Sequence, residues 1–321
     1  MKQEDAITVF APATIGNVGP GFDVLGVALE APGDRVRARR VAEPGVRLLA
    51  VRAADPTLTI LPPQSGDNTV CVAARQILET LDVNWGIELE LDKGLPVGSG
   101  LGSSGASAVA GAVAVNALAG APLTPAELLP ACLAAEEVAC AAAHGDNVAP
   151  GLFGGFVLLR GDGVPIPLRT PLTLWVALVT PQQSLSTRQA RAVIPDKIPL
   201  REAIHNSAQL ATLIYGVATG DLDALAVAID DRIAEPRRAP LIPGFAAVKR
   251  AALKAGALGA SIAGAGPTIF ALCAKKEVAK SVSQAMGAAL KGVGIAGQIR
   301  VTAVARDGAR VIRAGEVPNE A

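Results

Sequence analysis

The stretch Pro96-Val97-Gly98-Ser99-Gly100-Leu101-Gly102-Ser103-Ser104-Gly105-Ala106 constrains this chain more than any other. Alternating Ile87, Leu89 and Leu91 before it predict a half-buried strand, and the small-residue run 106–118 after it predicts a helix. Glycines between the two let the backbone bend tightly and approach a ligand closely. The helix start supplies unpaired N–H groups and the positive end of the helix dipole, which attract an anion. Strand, glycine turn with Ser103 and Ser104, then helix reads as a phosphate cradle whose hydroxyls can bind a phosphate or a metal. The plainer alternative is a tight turn with a serine N-cap.

Several cradles are excluded. Gly100-Leu101-Gly102-Ser103-Ser104-Gly105 matches the dinucleotide fingerprint, but that motif needs an acidic residue ending the next strand, roughly 20 residues on. The distance falls near Glu127, inside a stretch that reads as helix. A P-loop requires a lysine before its Ser/Thr, and none follows these glycines. The His-Arg-Asp and Asp-Phe-Gly signatures of protein kinases are absent.

Pro96-x-x-x-Gly100-Leu101-Gly102-Ser103-Ser104 resembles the phosphate loop of the GHMP kinase superfamily, whose members phosphorylate small alcohols. Ala11-Pro12-Ala13-Thr14-Ile15-Gly16-Asn17-Val18-Gly19-Pro20-Gly21-Phe22-Asp23 resembles a second superfamily motif. Gly259-Ala260-Ser261-Ile262-Ala263-Gly264-Ala265-Gly266-Pro267-Thr268 resembles a third. The first motif, with His144-Gly145-Asp146-Asn147-Val148-Ala149-Pro150, is most similar to the homoserine kinases within that superfamily. The resemblance implies an α+β GHMP kinase fold. Its N-terminal domain, residues 1–168, would be ribosomal protein S5 domain 2-like, and its C-terminal domain, 169–321, ferredoxin-like. It further implies ATP-dependent, Mg2+-dependent phosphorylation of L-homoserine to O-phospho-L-homoserine in threonine biosynthesis, with a cytoplasmic homodimer as the expected assembly.

The same resemblance assigns roles. Pro96 to Ala106, with Gly264 and Gly266, would hold the ATP phosphates. Asn68 would lie near the base, although its position at a helix start reads equally as an N-cap. Ser104 and Glu136 would hold Mg2+, which takes few protein ligands and keeps several waters. Glu136 stands eight residues before His144, the family spacing, and Glu137 does not. On an Ala-rich helix the ordinary fate of either acid is solvent.

Homoserine is a zwitterion with a primary alcohol. Its carboxylate calls for arginine, with Arg188 and Arg238 as candidates, and its ammonium for a carboxylate, Asp23. Asn17 and His144 would add hydrogen bonds. Taken singly, Asn17 and Asp23 are ordinary turn residues and each arginine an ordinary surface residue. Thr14 and Asn147 stand where other superfamily members carry a lysine and an aspartate. Neither is a general base near neutral pH, so the alcohol proton leaves by another route, for example to the phosphate itself. Asp146 and His144 stay open as acceptors. Gly105 replaces a common alanine, and Ala263 and Ala265 replace common serines.

Two other readings compete. Another small-alcohol kinase of this fold is disfavoured by the missing lysine–aspartate pair. A non-catalytic metabolite-binding protein is disfavoured by the intact loop and Glu136. Zero net charge and 3% aromatic residues argue against a nucleic-acid surface. Cys71, Cys132, Cys140 and Cys273 show no Cys-x-x-Cys spacing, and buried free thiols fit a reducing cytoplasm. No apolar leader follows Met1-Lys2-Gln3-Glu4-Asp5. The apolar stretch 105–121 is shorter than the roughly 20 residues of a membrane span and reads as a buried helix.

Elsewhere, strands are expected at 7–11, 24–29, 35–41 and 46–51, a loop at 55–63 and a helix at 68–81. A helix capped by Thr124 runs towards 143, followed by a Gly/Pro-rich loop at 144–155. Strands at 156–160 and 174–180 flank a proline-rich boundary. Beyond it come helices at 184–193, 203–219 and 222–233, then an irregular link at 235–244. A helix at 245–254, a turn at 261–265, a strand at 268–273, a helix at 276–290 and a strand at 297–305 complete the pattern.

Overall fold

Leu89 and Leu91 face inward from the strand next to one edge of a seven-stranded sheet, and that strand delivers the glycine loop. The computed structural model describes residues 6–53, 68–140 and 144–313. The loop expected at 55–63, the last residues of the helix expected to reach 143, and Met1–Asp5 lie outside the described residues.

In chain order the first half comprises β1 (Ala6–Ile15), β2 (Leu25–Val41), β3 (Gly45–Ala53), α1 (Thr69–Thr80), β4 (Gly86–Lys93), α2 (Ser103–Leu118), α3 (Pro125–Cys140), α4 (Gly145–Phe153), β5 (Phe156–Leu159) and β6 (Pro165–Leu168). The rest comprises β7 (Trp175–Pro181), α5 (Thr187–Ala192), α6 (Leu200–Thr219), α7 (Leu222–Ala228), α8 (Glu235–Arg238), a 3-10 turn (Ala239–Leu241), α9 (Phe245–Lys254), β8 (Gly259–Ile262), β9 (Ile269–Cys273), α10 (Lys276–Gly292), β10 (Gly297–Ala303) and β11 (Arg310–Ile312).

The first sheet runs β11-β1-β2-β4-β3, with β5 also pairing β2 and then β6. One face buries Val36, Ala38, Leu89 and Leu91 in the core shared with α1 and α2. On the other face, Arg35, Arg37 and Arg39 of β2 stand opposite Asp92, Glu90 and Glu88 of β4. Beyond them β3 adds Arg52 on Glu90 at 2.7 Å and Arg47 on Glu88 at 3.4 Å. Each exposed pair is worth little, but alternating columns of opposite charge let this face meet water without like-charge repulsion. Arg39, Arg47 and Arg52 each meet a carboxylate of this face. The second sheet runs β10-β7-β9-β8, all antiparallel, and packs Ala177, Val179, Ile269 and Ala271 against Val248 of α9 and Met286 and Leu290 of α10. None of the described helices is long and apolar enough to cross a membrane.

Several expected boundaries move. The expected loop 144–155 contains α4, because Val148, Ala149 and Leu152 bury against the core and outweigh the presence of Pro150. The proline-rich boundary contains β6, whose Pro165 and Pro167 are tolerated because it pairs only β5. The helix expected at 222–233 stops at Ala228. Beyond it the Asp231 carboxylate accepts the N–H groups of Ile233, Ala234 and Glu235, an alternative to continued helix. The link at 235–244 opens with α8 and the 3-10 turn, and Ser261 and Ile262 belong to β8 rather than to the turn. The short β11 has too few residues to show a period, and it pairs with β1.

β4 is anchored beneath the loop by a buried ion pair. Lys93 Nζ meets Asp34 Oδ2 at 2.5 Å and donates to Ser103 O at 2.8 Å and Ser107 Oγ at 3.0 Å. Asp34 Oδ1 in turn accepts the Gly94 N–H at 3.1 Å. Removing one partner of such a pair strands the other charge in the core, which costs about 3–5 kcal/mol. Lys93→Met is therefore expected to lower the unfolding free energy by about that amount. Adding Asp34→Asn should recover part of the loss, and urea denaturation of both variants checks this.

Candidate active site

Three turns converge by backbone contact. Thr14 N donates to Leu101 O at 3.2 Å, Gly264 N to Gly16 O at 3.0 Å, and Thr268 N to Ser99 O at 3.2 Å. This closeness depends on glycine. A Cβ on Gly100, whose φ is +82°, would stand 2.3 Å from Ala263 O, and one on Gly102, at φ +67°, 2.1 Å from Thr14 Oγ1. Leu101 is buried beneath the loop, and Ser99 Oγ donates to Pro96 O at 2.8 Å, closing the Pro96–Gly100 bend.

α2 begins at Ser103, three residues before the expected start at Ala106. Its N-cap is Gly102, not a serine, and no side chain caps the helix. The first-turn N–H groups are thus left without a side-chain cap at the end that favours an anion. The two serines separate. Ser103 Oγ donates to Leu95 O at 3.1 Å, whereas Ser104 hydrogen-bonds Glu136. The N–H groups of Gly264 and Gly266 are engaged by Gly16 O and Ala263 O, so these glycines shape the site rather than offer those donors.

Glu136 is 2% exposed, while Glu137 is exposed. The helix therefore turns the expected carboxylate inward, against the usual fate of acids on an Ala-rich helix. Burial pushes its carboxyl up to about 7, opposed by the Ser104 hydrogen bond, and its Oε1 has no hydrogen-bond partner. A buried carboxylate with an unpartnered oxygen, beside a serine hydroxyl, fits a hard cation. No cluster of three or more metal-ligating side chains occurs among the described residues, so the fit is to an ion with few protein ligands.

On the other side, the first turn of α4 and the first motif form one chain of polar contacts. Thr14 Oγ1 donates to Asn147 Oδ1 at 3.3 Å, and Asn147 Nδ2 to Asp146 Oδ1 at 3.4 Å. Asp146 Oδ2 accepts the Asn17 N–H, and Asn17 Oδ1 accepts the Asp23 N–H, both at 2.9 Å. Asn17 and Asp23 hold φ of +54° and +59°, a left-handed conformation that Asn and Asp tolerate best after glycine. Asp146 is buried, and burial first and Asp23 second push its carboxyl up to about 6. Burial first and Arg191 second push the His144 imidazole below its usual range, so it is neutral at pH 7. Its buried Nε2 has no hydrogen-bond partner.

The arginines sort differently from expectation. Arg238 is 4% exposed and donates from Nε to Ala190 O at 3.1 Å and from Nη1 to Gly264 O at 2.8 Å. Arg188 is exposed and takes no part in these contacts. Arg191, one helical turn on, instead grips Asp23 at 2.7 and 2.9 Å. The Phe22 ring lies 5.0 Å from the Arg191 guanidinium and 5.1 Å from that of Arg238. Residues three apart share a helix face, so the spacing alone does not choose between Arg188 and Arg191. Asn68 caps α1, accepting the Val70 N–H at 3.2 Å, and neighbouring Thr69 donates to Ser104 O at 3.0 Å. Asn68 thus meets the N-cap alternative while standing beside the start of α2. Lys93 and Asp231 escaped the sequence reading. A single lysine in an apolar strand carries no motif, and the Asp231 turn shows only as a composition common to loops.

A glycine loop opening an uncapped helix, a buried carboxylate beside it and a cluster of charged side chains around Phe22 fit a small-molecule phosphotransferase of the GHMP kinase class. The GHMP kinases N-terminal domain model matches residues 68–155, and the C-terminal model matches 213–292. The homoserine kinase of Chlorobium phaeobacteroides (strain BS1) is 42% identical over 95% of this chain and 99% of its own length. That of Xanthomonas campestris pv. campestris (strain B100) is 40% identical over 94% of this chain and 93% of its own. The crystal structure of homoserine kinase from Cytophaga hutchinsonii superposes with a TM-score of 0.92 at 42% identity, covering 97% of this chain and 99% of that one. This chain belongs to the homoserine kinase family of GHMP kinases. As a kinase, it takes ATP as its phosphoryl donor.

Two outcomes follow from this geometry. Gly100→Ala would force a Cβ into backbone oxygen at an unfavourable φ and should cost several kcal/mol. Gly105→Ala meets its nearest atom at 3.6 Å and should raise stability by up to about 1 kcal/mol through helix propensity. Chemical denaturation distinguishes the two. For Asp146, the folded carboxyl titrates near 6 against an ordinary 3.8. Between those values the folded state holds a proton that the unfolded state has released. Stability therefore falls as pH rises through this window and stays lowered above it. Asp146→Asn should accordingly melt higher than the parent at pH 7.5, with the gap narrowing towards pH 4.5 in thermal scans.

Proposed function

We propose that this chain transfers the γ-phosphoryl group of ATP to the hydroxyl of L-homoserine, giving O-phospho-L-homoserine in threonine biosynthesis. The observation that carries the reading is the set Asp23, Arg191 and Arg238 around Phe22, whose charges complement an amino-acid zwitterion, beside the glycine loop. Positioning and charge stabilisation supply most of the catalysis in such a transfer. The loop from Pro96 to Ala106 and the start of α2 receive the phosphates. Ser104 and Glu136 would hold Mg2+, which when bound neutralises phosphate charge. Asp23 receives the substrate ammonium, and Arg191 with the remaining donors of Arg238 receives the carboxylate.

Thr14 and Asn147 orient the acceptor hydroxyl, and neither carries a titratable group for pH 7. His144 supplies a neutral hydrogen-bonding nitrogen, and Asp146 is held by the Asn17 N–H. The alcohol oxygen bonds to the γ-phosphorus as the bond to the bridging oxygen of ADP breaks, and the hydroxyl proton passes to a phosphoryl oxygen. The unit divides at 168/169, and the working form is a cytoplasmic homodimer. Buried, unpaired Cys71, Cys132 and Cys273 support the reducing compartment, and exposed Leu200, Ile204 and Tyr215 on α6 support an apolar contact.

Purified protein with ATP and Mg2+ should consume ATP on adding L-homoserine and not on adding mevalonate, galactose or serine. Turnover of mevalonate or galactose with homoserine untouched would overturn the reading. Glu136→Gln should lower kcat by on the order of 10²-fold or more while the melting temperature is kept. Near-normal turnover at limiting Mg2+ would remove Glu136 from the metal site.

A further inference from the structure

The Asp23–Arg191 pair is closed on itself beside the Phe22 ring. Its geometry is bidentate, at 2.7 and 2.9 Å, and it joins the first motif to α5. The side chains are 42% and 40% exposed, so a small solute reaches both. Neither makes another ion pair among the described residues.

Each partner is also held independently of the other. The Asp23 backbone is fixed by its left-handed φ and by its N–H on Asn17 Oδ1. The Arg191 guanidinium packs on the Phe22 ring, and the preceding residue is pinned through Ala190 O to Arg238. Opening the pair therefore leaves a carboxylate and a guanidinium in place, facing each other across a gap. His144, with an unpartnered Nε2, lies close enough to feel both charges.

Resting on the function proposed above, we propose that this ion pair is a selectivity device which only a zwitterionic alcohol opens without loss. The substrate ammonium replaces Arg191 at Asp23, and the substrate carboxylate replaces Asp23 at Arg191. Two charge-assisted contacts are exchanged for two others. An alcohol with only a carboxylate restores one contact and leaves Asp23 unpaired, and one with only an ammonium leaves Arg191 unpaired. The penalty on the wrong substrate comes from the protein's own pair, a repulsive element in specificity rather than an attractive one.

The test uses L-homoserine, 4-hydroxybutyrate and 3-aminopropan-1-ol, with the latter two read as substrates or as competitive inhibitors of homoserine. Asp23→Asn should lower kcat/KM for homoserine roughly 10- to 100-fold. The same variant should bind 4-hydroxybutyrate about tenfold tighter than the parent, because Arg191 is now unoccupied. Arg191→Gln should show the reciprocal gain for 3-aminopropan-1-ol. A merely structural pair would weaken every ligand together. If the parent turns over homoserine but neither variant gains affinity for its one-charge analogue, the exchange is overturned while the functional reading stands. If the parent ignores homoserine, both fall. Circular dichroism melts confirm that each variant is folded, and either variant alone suffices for the comparison.

Discussion

A Cβ on Gly100 would stand 2.3 Å from Ala263 O, and the site depends on that atom being absent. The first motif, the phosphate loop and the turn after β8 touch through main-chain atoms, with Gly264 N on Gly16 O and Thr268 N on Ser99 O. Backbone contact leaves no side chain to adjust, so the relative position of the two sheets is set by peptide geometry. Thr268 extends the tie, its Oγ1 lying 2.8 Å from Thr180 Oγ1 on β7. On the proposed function, the groups assigned to one substrate are therefore positioned by the same turns as the groups assigned to the other.

Four buried charges in this region solve the same physical problem in different ways. Taking a charge out of water is costly unless it is paired or neutralised. Lys93 and Asp34 neutralise each other, and the pair is completed by Ser107 and the Ser103 carbonyl. Glu136 has only the Ser104 hydroxyl and the more distant Lys93 charge, and its carboxyl is correspondingly raised. Asp146 is stabilised by the Asn17 N–H but opposed by Asp23. The fully paired charges lie under the loop, where they hold shape, and the incompletely paired ones face the site. Perturbed groups of this kind concentrate where binding chemistry occurs.

What the sequence makes legible follows from which residues act locally. The glycine loop was readable because φ above zero and close approach leave a mark in composition, and the strand before it because pleating imposes a period of two. The family resemblance points to Glu136 rather than Glu137, and the fold buries Glu136 and exposes Glu137. Sequence points to Arg188 and not to Arg191, since the Asp23 pairing that separates them spans 168 residues and is decided by where α5 docks. α4 read as a loop because Gly145, Pro150 and Gly151 weaken helix propensity locally, while the burial of Val148 and Leu152 that overrides it is a tertiary effect. The Lys93–Asp34 pair joins β2 to β4 and leaves no trace in either strand's pattern.

The polar chain from Thr14 through Asn147 and Asp146 to Asn17 also explains how a site without a strong base can be arranged for transfer. A general base must be free to accept a proton from the acceptor hydroxyl. Asn147 has no basic atom, and its amide is oriented by Thr14 on one side and Asp146 on the other. The Asp146 carboxylate is the one titratable group among these four residues, yet Oδ2 receives the Asn17 N–H and Oδ1 faces the Asn147 amide nitrogen. Its negative charge is thus directed into holding the first motif and the acceptor amide in register. On the proposed function, rate enhancement rests on orientation and on the positive potential of the helix start, which acts on the phosphoryl oxygens as they gain basicity. On the proposed function those oxygens receive the proton, since Asp146 Oδ2 is held by the Asn17 N–H.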